Sequence, residues 1–369
     1  MKKKNQIIFM KKKIIIIFLM FFSNIFPVKS ENCYSDAFLV KNVQIDENAL
    51  SGQVARTKGI QKAVNKSFLI AINRMIINPP IVLEENFNGK DFLDFVHISS
   101  ENTLPRRYIA NVDFCFNSKL IREFLVKKKL QWSELISSEI LMLPIWDDAS
   151  GKRMWANNVL WLSSWRNFIK KTDSLIKFVI LSPSISLERL LSPEAVSSRD
   201  KNVLKFAAKN AEAAQLILLF AYLDYSGEAN YLKMVGELYN SDGTLLAILN
   251  ETKLPIDGQL NLQVTFEKFQ IEVKNLIELR WKKKNIYIPG KNNQIFVSVK
   301  INNFKEFYSI HNQIQSLEIV KDIYKIKLTD KVSTLKLSLA GSIEAFKFAL
   351  KKSNYSLINN DTGYELVLK

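Results

Sequence analysis

Histidine is nearly absent from this chain of 369 residues, which contains only His97 and His311. A Ser-His-Asp constellation needs its three members within hydrogen-bond reach, and the two histidines fall in separate predicted domains. Neither belongs to a closely spaced pair of the kind that zinc hydrolases use. A Gly-rich phosphate-binding loop is missing as well. The sequence therefore predicts no catalytic residue, no metal site and no cofactor.

Glycine and proline are also scarce, at 11 and 9 residues, whereas hydrophobic residues make up 47% of the chain. This composition is typical of a globular protein rather than of a disordered or fibrous one. The length is sufficient for two or three domains.

Acidic residues are missing from the first 30 positions, which carry seven lysines. Two lysine clusters precede an apolar run over 14–26, and Val28-Lys29-Ser30 then offers small or branched residues at the −3 and −1 positions of a cleavage site. This pattern is typical of a secretory signal peptide, and the run is too short to span a bilayer comfortably. We therefore predict export to the periplasm with residues 1–30 as the signal peptide. The alternative is an uncleaved anchor in the inner membrane.

Without that leader, the formal net charge falls from +16 to about +9. The lysine runs 127–129 and 282–284 each close a predicted helix, where cations complement the helix dipole. We interpret both runs as solvated surface, and a weak contact with an anionic membrane surface is the alternative. Nucleic acid is not expected as a partner of an exported chain.

Cysteine occurs only twice, at Cys33 and Cys115, and two cysteines cannot make a structural zinc site alone. Export permits a disulfide bond. Cys33 lies just before the first predicted strand and Cys115 lies within a later one. A bond between them would close a loop of 82 positions and could add about 3–5 kcal/mol of stability. Two separate thiols are the alternative.

Hydrophobic periodicity predicts an α+β protein of two or three small α/β modules with mixed sheets. Residues 31–130 form the predicted N-terminal module, with a strand over 38–46, a helix from about 49 to 76, a loop onwards to 104, a strand over 107–116 and a helix over 119–130. Residues 131–290 form the predicted central module, with strands over 139–146, 176–182 and 215–225, a hairpin around Ser241-Asp242-Gly243, and helices over 160–171, 200–214 and 266–284.

Residues 291–369 form the predicted C-terminal module. The pattern is strand, helix, strand, strand, helix, strand, with a final strand that we take as an extra edge. This order is the ferredoxin-like βαββαβ arrangement.

Four of the six tryptophans lie between 141 and 165, at Trp146, Trp155, Trp161 and Trp165. A buried indole contributes a large apolar area, and its N–H needs a partner. We expect the last three to fasten a helix to the sheet. The alternative is that one or two stay exposed as anchors for a partner, because interface hot spots favour tryptophan. Trp155, Asn158 and Trp161 are the candidate partner-binding residues.

Asp147 and Asp148 follow a predicted strand end beside these aromatic residues. A pair of carboxylates near aromatic residues can serve glycoside cleavage, where two acids flank a sugar ring. Adjacent residues of an extended segment point in opposite directions, however. A solvated loop before Gly151 is the favoured interpretation.

The order of several motifs resembles a known family. A strand ending in Val43, Ile45 and Asp46 leads into a helix with Ala55, Arg56 and Ala63. A strand with Arg107, Tyr108, Ala110, Val112 and Phe114 follows, and then Leu-Pro-Ile-Trp and a segment with Trp155, Asn158, Trp161 and Trp165. This order resembles bacterial domain-of-unknown-function family 2066, a group of exported proteobacterial proteins. The resemblance implies fold and export but no catalytic residue.

These observations together predict a non-enzymatic envelope protein that acts through contacts with an envelope protein that the sequence does not identify. One alternative is an enzyme that acts on an envelope polymer through Asp147 or Asp148. Another is a carrier of an apolar ligand.

Overall fold

The computed structural model describes residues 33–79, 87–155, 159–224, 230–256, 261–290, 293–329, 331–360 and 363–368. The predicted leader and Asn158 lie outside these ranges. Within them the chain forms three sheets flanked by helices, so the predicted α+β class with mixed sheets is confirmed. No helix of the described ranges is long and apolar enough to cross a membrane.

The first module has a three-stranded antiparallel sheet with the strand order β1-β3-β2. Its elements are β1 (Leu39–Asn48), α1 (Gly52–Met75), β2 (Leu93–Thr103), β3 (Arg107–Phe116) and α2 (Ser118–Lys127). The helix α1 begins where the Ser51 side chain accepts a hydrogen bond from the Val54 N–H. It packs on the sheet through a buried stripe that includes Phe68 and Ile72.

The prediction of a loop onwards to residue 104 was wrong for residues 93–103, which form β2. This strand is at the edge of the sheet and most of its residues are exposed, so polar side chains such as Ser99 and Glu101 are tolerated there. An exposed edge strand needs little apolar alternation, which explains why the sequence pattern did not reveal it.

The second module has a mixed sheet with helices on both faces. Its path is β5-β4-β7-β8-β9, and β6 also pairs with β4. The strands are β4 (Glu139–Asp148), β5 (Gly151–Arg153), β6 (Lys177–Val179), β7 (Gln215–Asp224), β8 (Tyr231–Asn240) and β9 (Leu245–Pro255). The helices are α3 (Leu160–Lys171), α4 (Ile185–Leu190), α5 (Pro193–Ser197), α6 (Lys201–Asn210) and α7 (Leu262–Lys284). The apolar strands β4 and β7 are parallel neighbours in the middle of the sheet, where both of their faces are buried.

The third module contains β10 (Asn293–Lys300), α8 (Phe304–Gln315), β11 (Val320–Leu328), β12 (Val332–Leu339), α9 (Ile343–Lys352), β13 (Tyr355–Asn360) and β14 (Gly363–Leu368). Its strand order is β11-β12-β10-β14-β13. The predicted succession of elements is present, but the extra strand is not at the edge.

The extra strand β14 lies inside the sheet, parallel to β10, and β13 forms the edge. Leu366 of β14 is buried against the helices, whereas Ile358 of β13 is exposed. Gly363 starts β14 with a φ of 141°, and a Cβ there would lie 2.7 Å from the carbonyl oxygen of Phe296. Glycine therefore allows the close approach of β14 to β10.

A disulfide bond joins Cys33 to Cys115 in the first module. This is one of the two arrangements that the sequence left open. Cys115 belongs to β3 and is fully buried. The bond fastens the segment before β1 to the central strand of the three-stranded sheet.

The disulfide bond generates a prediction about stability. Replacing both cysteines, as Cys33→Ala with Cys115→Ala, is expected to lower the free energy of unfolding of the first module by about 3–5 kcal/mol, because the open chain gains entropy when the loop is no longer closed. Urea unfolding followed by circular dichroism measures the change. Reductant should shift the midpoint of the wild type and leave that of the double variant in place. Equal midpoints for the two proteins without reductant would contradict the prediction.

Candidate functional site

The three modules meet where two connecting segments of the chain run side by side. Isolated β-bridges join Ile76 to Trp132, Trp132 to Tyr287, and Tyr287 to Gly341. The Tyr287 N–H donates to the Trp132 carbonyl oxygen at 2.7 Å, and the Trp132 N–H donates back at 3.2 Å. The two aromatic rings stack with centroids 3.9 Å apart. We call this set of residues the module junction, because Ile76 follows α1 of the first module and Gly341 precedes α9 of the third.

The C-terminal end of α7 strengthens the module junction. The indole N–H of Trp281 donates to the Leu135 carbonyl oxygen at 2.7 Å. The indole ring also makes an edge-on contact with the ring of Phe348 of α9, with ring centroids 5.4 Å apart. Trp281 also packs against the apolar cores of both the first and the second module. One side chain therefore contacts all three modules.

Lys282 of α7 is 4% exposed, so the interpretation of the whole run 282–284 as solvated surface was wrong for this residue. Its ammonium donates to the carbonyl oxygen of Ile76 at 3.0 Å and that of Asn73 at 3.5 Å. These oxygens lie at the end of α1, where carbonyl groups lack partners within the helix and attract cations. Burial lowers the pKa of Lys282. A lysine of the second module thus donates hydrogen bonds to the C-terminal end of a helix of the first module.

A cavity of about 210 Å³ lies beside the module junction and is lined by residues of the first and third modules and of the connecting segments. Arg122 of α2 forms ion pairs there with Glu134 and Glu318. Burial acts to lower the pKa of Arg122, but the hydrogen bonds and charges of these two carboxylates raise it overall. Burial, followed by the charge of Glu318, raises the pKa of Tyr34 in the same cavity. The charges here are paired with one another across modules.

A second, larger cleft of about 430 Å³ lies between the second and third modules. One wall is the face of α7 that carries Ile277, Arg280, Trp281 and Lys284, and another is the face of α9 that carries Glu344, Lys347, Phe348 and Lys351. Both sets follow the i, i+3, i+4, i+7 spacing that places side chains on one side of a helix. Residues at and just before the starts of β4 and β7, parts of β8 and β9, and Asn285 complete the lining.

The two tryptophans predicted as partner-binding residues both form hydrogen bonds within the second module. Trp161 is completely buried and donates its indole N–H to the Leu219 carbonyl oxygen at 3.0 Å, so its assignment to a partner-binding surface was wrong. Trp155 is half-buried and donates to the Leu191 carbonyl oxygen at 2.9 Å. Asn158 lies outside the described residues. Trp165 is buried beside Trp161, and its indole nitrogen has no hydrogen-bond partner among the residues that the structure describes.

Asp147 and Asp148 lie at the end of β4, in a tight hairpin with β5. Asp148 accepts hydrogen bonds from the indole N–H of Trp146 at 2.7 Å and the backbone N–H of Ser150 at 2.9 Å, and it forms an ion pair with Arg153. The Trp146 hydrogen bond, followed by that of Ser150, lowers the pKa of Asp148. The carboxylate of Asp147 lies 3.8 Å from the ammonium of Lys152. Asp148 thus stabilises the turn, and among the described residues no group of three or more His, Cys, Asp or Glu side chains could hold a metal ion.

Trp132 and Trp281 were not among the residues predicted from the sequence, because that prediction rested on the Trp-rich stretch 141–165. The available signal was their position, because each lies near a predicted module boundary rather than within a run of core residues. Lys282 gave no signal, since a lysine in a basic run at a helix end ordinarily faces water.

Comparisons with known proteins give only distant similarities. No family model and no curated protein matches the chain. Among solved structures, it is similar to lipoprotein GNA1162 from Neisseria meningitidis, with 11% identity over 38% of this chain and 96% of that chain and a TM-score of 0.24. It is also similar to the LpoB C-terminal domain from Salmonella enterica, with 17% identity and a TM-score of 0.22. That match covers 32% of this chain and 84% of the LpoB domain. A formyltetrahydrofolate deformylase from Burkholderia mallei shows 12% identity and a TM-score of 0.20. That match covers 64% of this chain and 91% of the deformylase. These low scores carry no argument about function.

The module junction generates a prediction about coupling. Tyr287→Ala removes the stacking on Trp132. We expect it to destabilise the association of the modules by about 2 kcal/mol, because the variant loses an aromatic pair and the apolar contact area of a half-buried side chain. Limited proteolysis should then cut the segment between α7 and β10 several times faster than in the wild type. The matched control is Tyr324→Ala, on an exposed residue of β11. Equal cleavage rates for the two variants would contradict the stated role of Tyr287.

Proposed function

We propose that this chain is an exported protein of the bacterial cell envelope that acts by binding other envelope components rather than by catalysis. The observation that carries the proposal is the Cys33–Cys115 disulfide bond, which lies in the core of the first module. Such bonds persist in oxidising compartments and are rare in the reducing cytosol. The basic and apolar leader pattern of residues 1–30 supports the same compartment.

The binding role is supported by how the charged and concave surfaces are built. The acidic groups around the smaller cavity, Glu134 and Glu318, form ion pairs with Arg122. Asp148, one of the two acids considered for polymer cleavage, likewise forms hydrogen bonds and an ion pair within a turn. The larger cleft lies between modules, which is a common position for ligand sites. Membership in domain-of-unknown-function family 2066 remains part of this proposal.

Export is tested by expressing the full chain with its leader in a bacterium that has a periplasm. We expect the protein in the periplasmic fraction, with a mass that corresponds to a chain starting at Glu31 and with both cysteines unreactive to a maleimide probe until reductant is added. The control carries Ile15→Asp and Ile16→Asp, which interrupt the apolar run of the leader; this variant should stay in the cytosol with reactive thiols. Recovery of the unprocessed wild-type chain in the cytosol with free thiols would contradict the proposal.

A partner is sought by crosslinking the chain in its native envelope and identifying what co-purifies. The proposal of a protein-binding role predicts enrichment of at least one envelope protein over a crosslinked control of similar charge. Enrichment of a small molecule without any protein would instead favour the carrier alternative.

A further inference from the structure

The cleft between α7 and α9, which we call the intermodule cleft, carries an excess of positive charge. Arg280 and Lys284 come from α7, and Lys347 and Lys351 come from α9. Glu344 is the acidic residue among the lining side chains, and it pairs with Lys347 at 3.2 Å. Within the described part of the chain, Arg280, Lys284 and Lys351 form no ion pair or side-chain hydrogen bond. Three unpaired cations thus surround one concave site.

The preference of helix ends for cations does not by itself explain where these four cations lie. The last turn of a helix favours cations wherever they lie around its axis. Here the cations of two helices from different modules line the same cleft, so their positive potentials add in one place. Association of the modules therefore brings together like charges, and a bound anion would relieve the repulsion between them.

The rest of the lining is mostly apolar, and its polar members are Ser137, Ser138, Gln215 and Asn285. Ile140, Leu238 and Ile277 are at most 3% exposed, whereas Arg280, Lys284 and Lys351 are exposed. Ser137 and Asn285 are buried too, but the side chain of each donates to a backbone carbonyl oxygen. The interior of the cleft is therefore mainly apolar, and cations surround its opening. This distribution is complementary to a molecule with one apolar end and one anionic end.

We propose that the intermodule cleft binds a single lipid-like molecule, with its acyl chain against the apolar interior and its phosphate headgroup among Arg280, Lys284 and Lys351. The volume of about 430 Å³ falls in the range of small-molecule sites. Arginine suits phosphate because its planar group donates two parallel hydrogen bonds. A bilayer surface would contact only exposed cations and leave the apolar interior unused, so a single molecule accounts for more of the site. The inference rests on the proposed binding role and gives it a ligand class.

The test uses the full chain with its disulfide bond intact, freed of bound lipid by exchange in a neutral detergent that is then removed. Lysophosphatidylglycerol below its micelle concentration is titrated calorimetrically, and native mass spectrometry counts the bound molecules. We expect one bound lipid per chain. Arg280→Gln with Lys351→Gln should weaken binding about tenfold or more, since each removes a charge-assisted hydrogen bond. Unchanged urea midpoints show that these exposed substitutions leave the fold intact.

The matched control is Lys119→Gln with Lys127→Gln, two exposed cations of α2 in the first module, which should change binding less than twofold. Lysophosphatidylcholine, with a zwitterionic headgroup, and inorganic phosphate, without an acyl chain, should each bind at least tenfold more weakly than lysophosphatidylglycerol. The proposal is overturned if lysophosphatidylglycerol does not bind, if phosphate alone binds as tightly, or if the control pair weakens binding as much as the cleft pair. None of these outcomes bears on export, which fractionation tests separately.

Discussion

The backbone pairing of Trp132 with Tyr287 is the interaction on which the arrangement of the molecule depends. Both residues belong to segments that connect modules, and each donates a main-chain hydrogen bond to the other. The bridges to Ile76 and Gly341 extend this pairing into the first and third modules. Three units that each have their own apolar core are therefore joined by a short ladder of backbone hydrogen bonds rather than by one continuous core.

The side chains around this ladder make the association specific. Trp281 contributes apolar contact with all three modules, and Lys282 donates to carbonyl groups at the end of α1. Burying an ammonium group is unfavourable unless it is hydrogen-bonded, so displacement of a module would remove the hydrogen bonds that make the burial of Lys282 tolerable. This requirement favours one orientation of α7 against α1. The intermodule cleft exists only because that orientation also brings α9 close to α7.

Much of the fold could be predicted from the sequence, because local periodicity is a direct signal. The helix α7, the buried strands β4 and β7, and the succession of elements in the third module follow from apolar spacing. The edge strand β2 could not be found in this way, since most of its exposed residues are polar. The inner position of β14 was also missed, because sequence order does not state which strand of a terminal hairpin lies next to β10.

The site was harder to predict, because its residues come from distant parts of the chain. Tryptophan abundance pointed to Trp161, which is a core residue, whereas the contacts between modules come from the isolated Trp132 and Trp281. The i, i+3, i+4, i+7 pattern of cations and aromatic residues on α7 and α9 is visible in the sequence. That these two faces line one cleft follows only from the tertiary arrangement.

Hydrogen–deuterium exchange at the backbone N–H groups of Trp132 and Tyr287 tests the central claim most directly. If the two connecting segments hold the modules together, both amides should exchange about as slowly as those of β4 and β7, because they open only when the modules separate. Exchange of both amides at the rate of an unprotected chain, while β4 and β7 stay protected, would contradict the account.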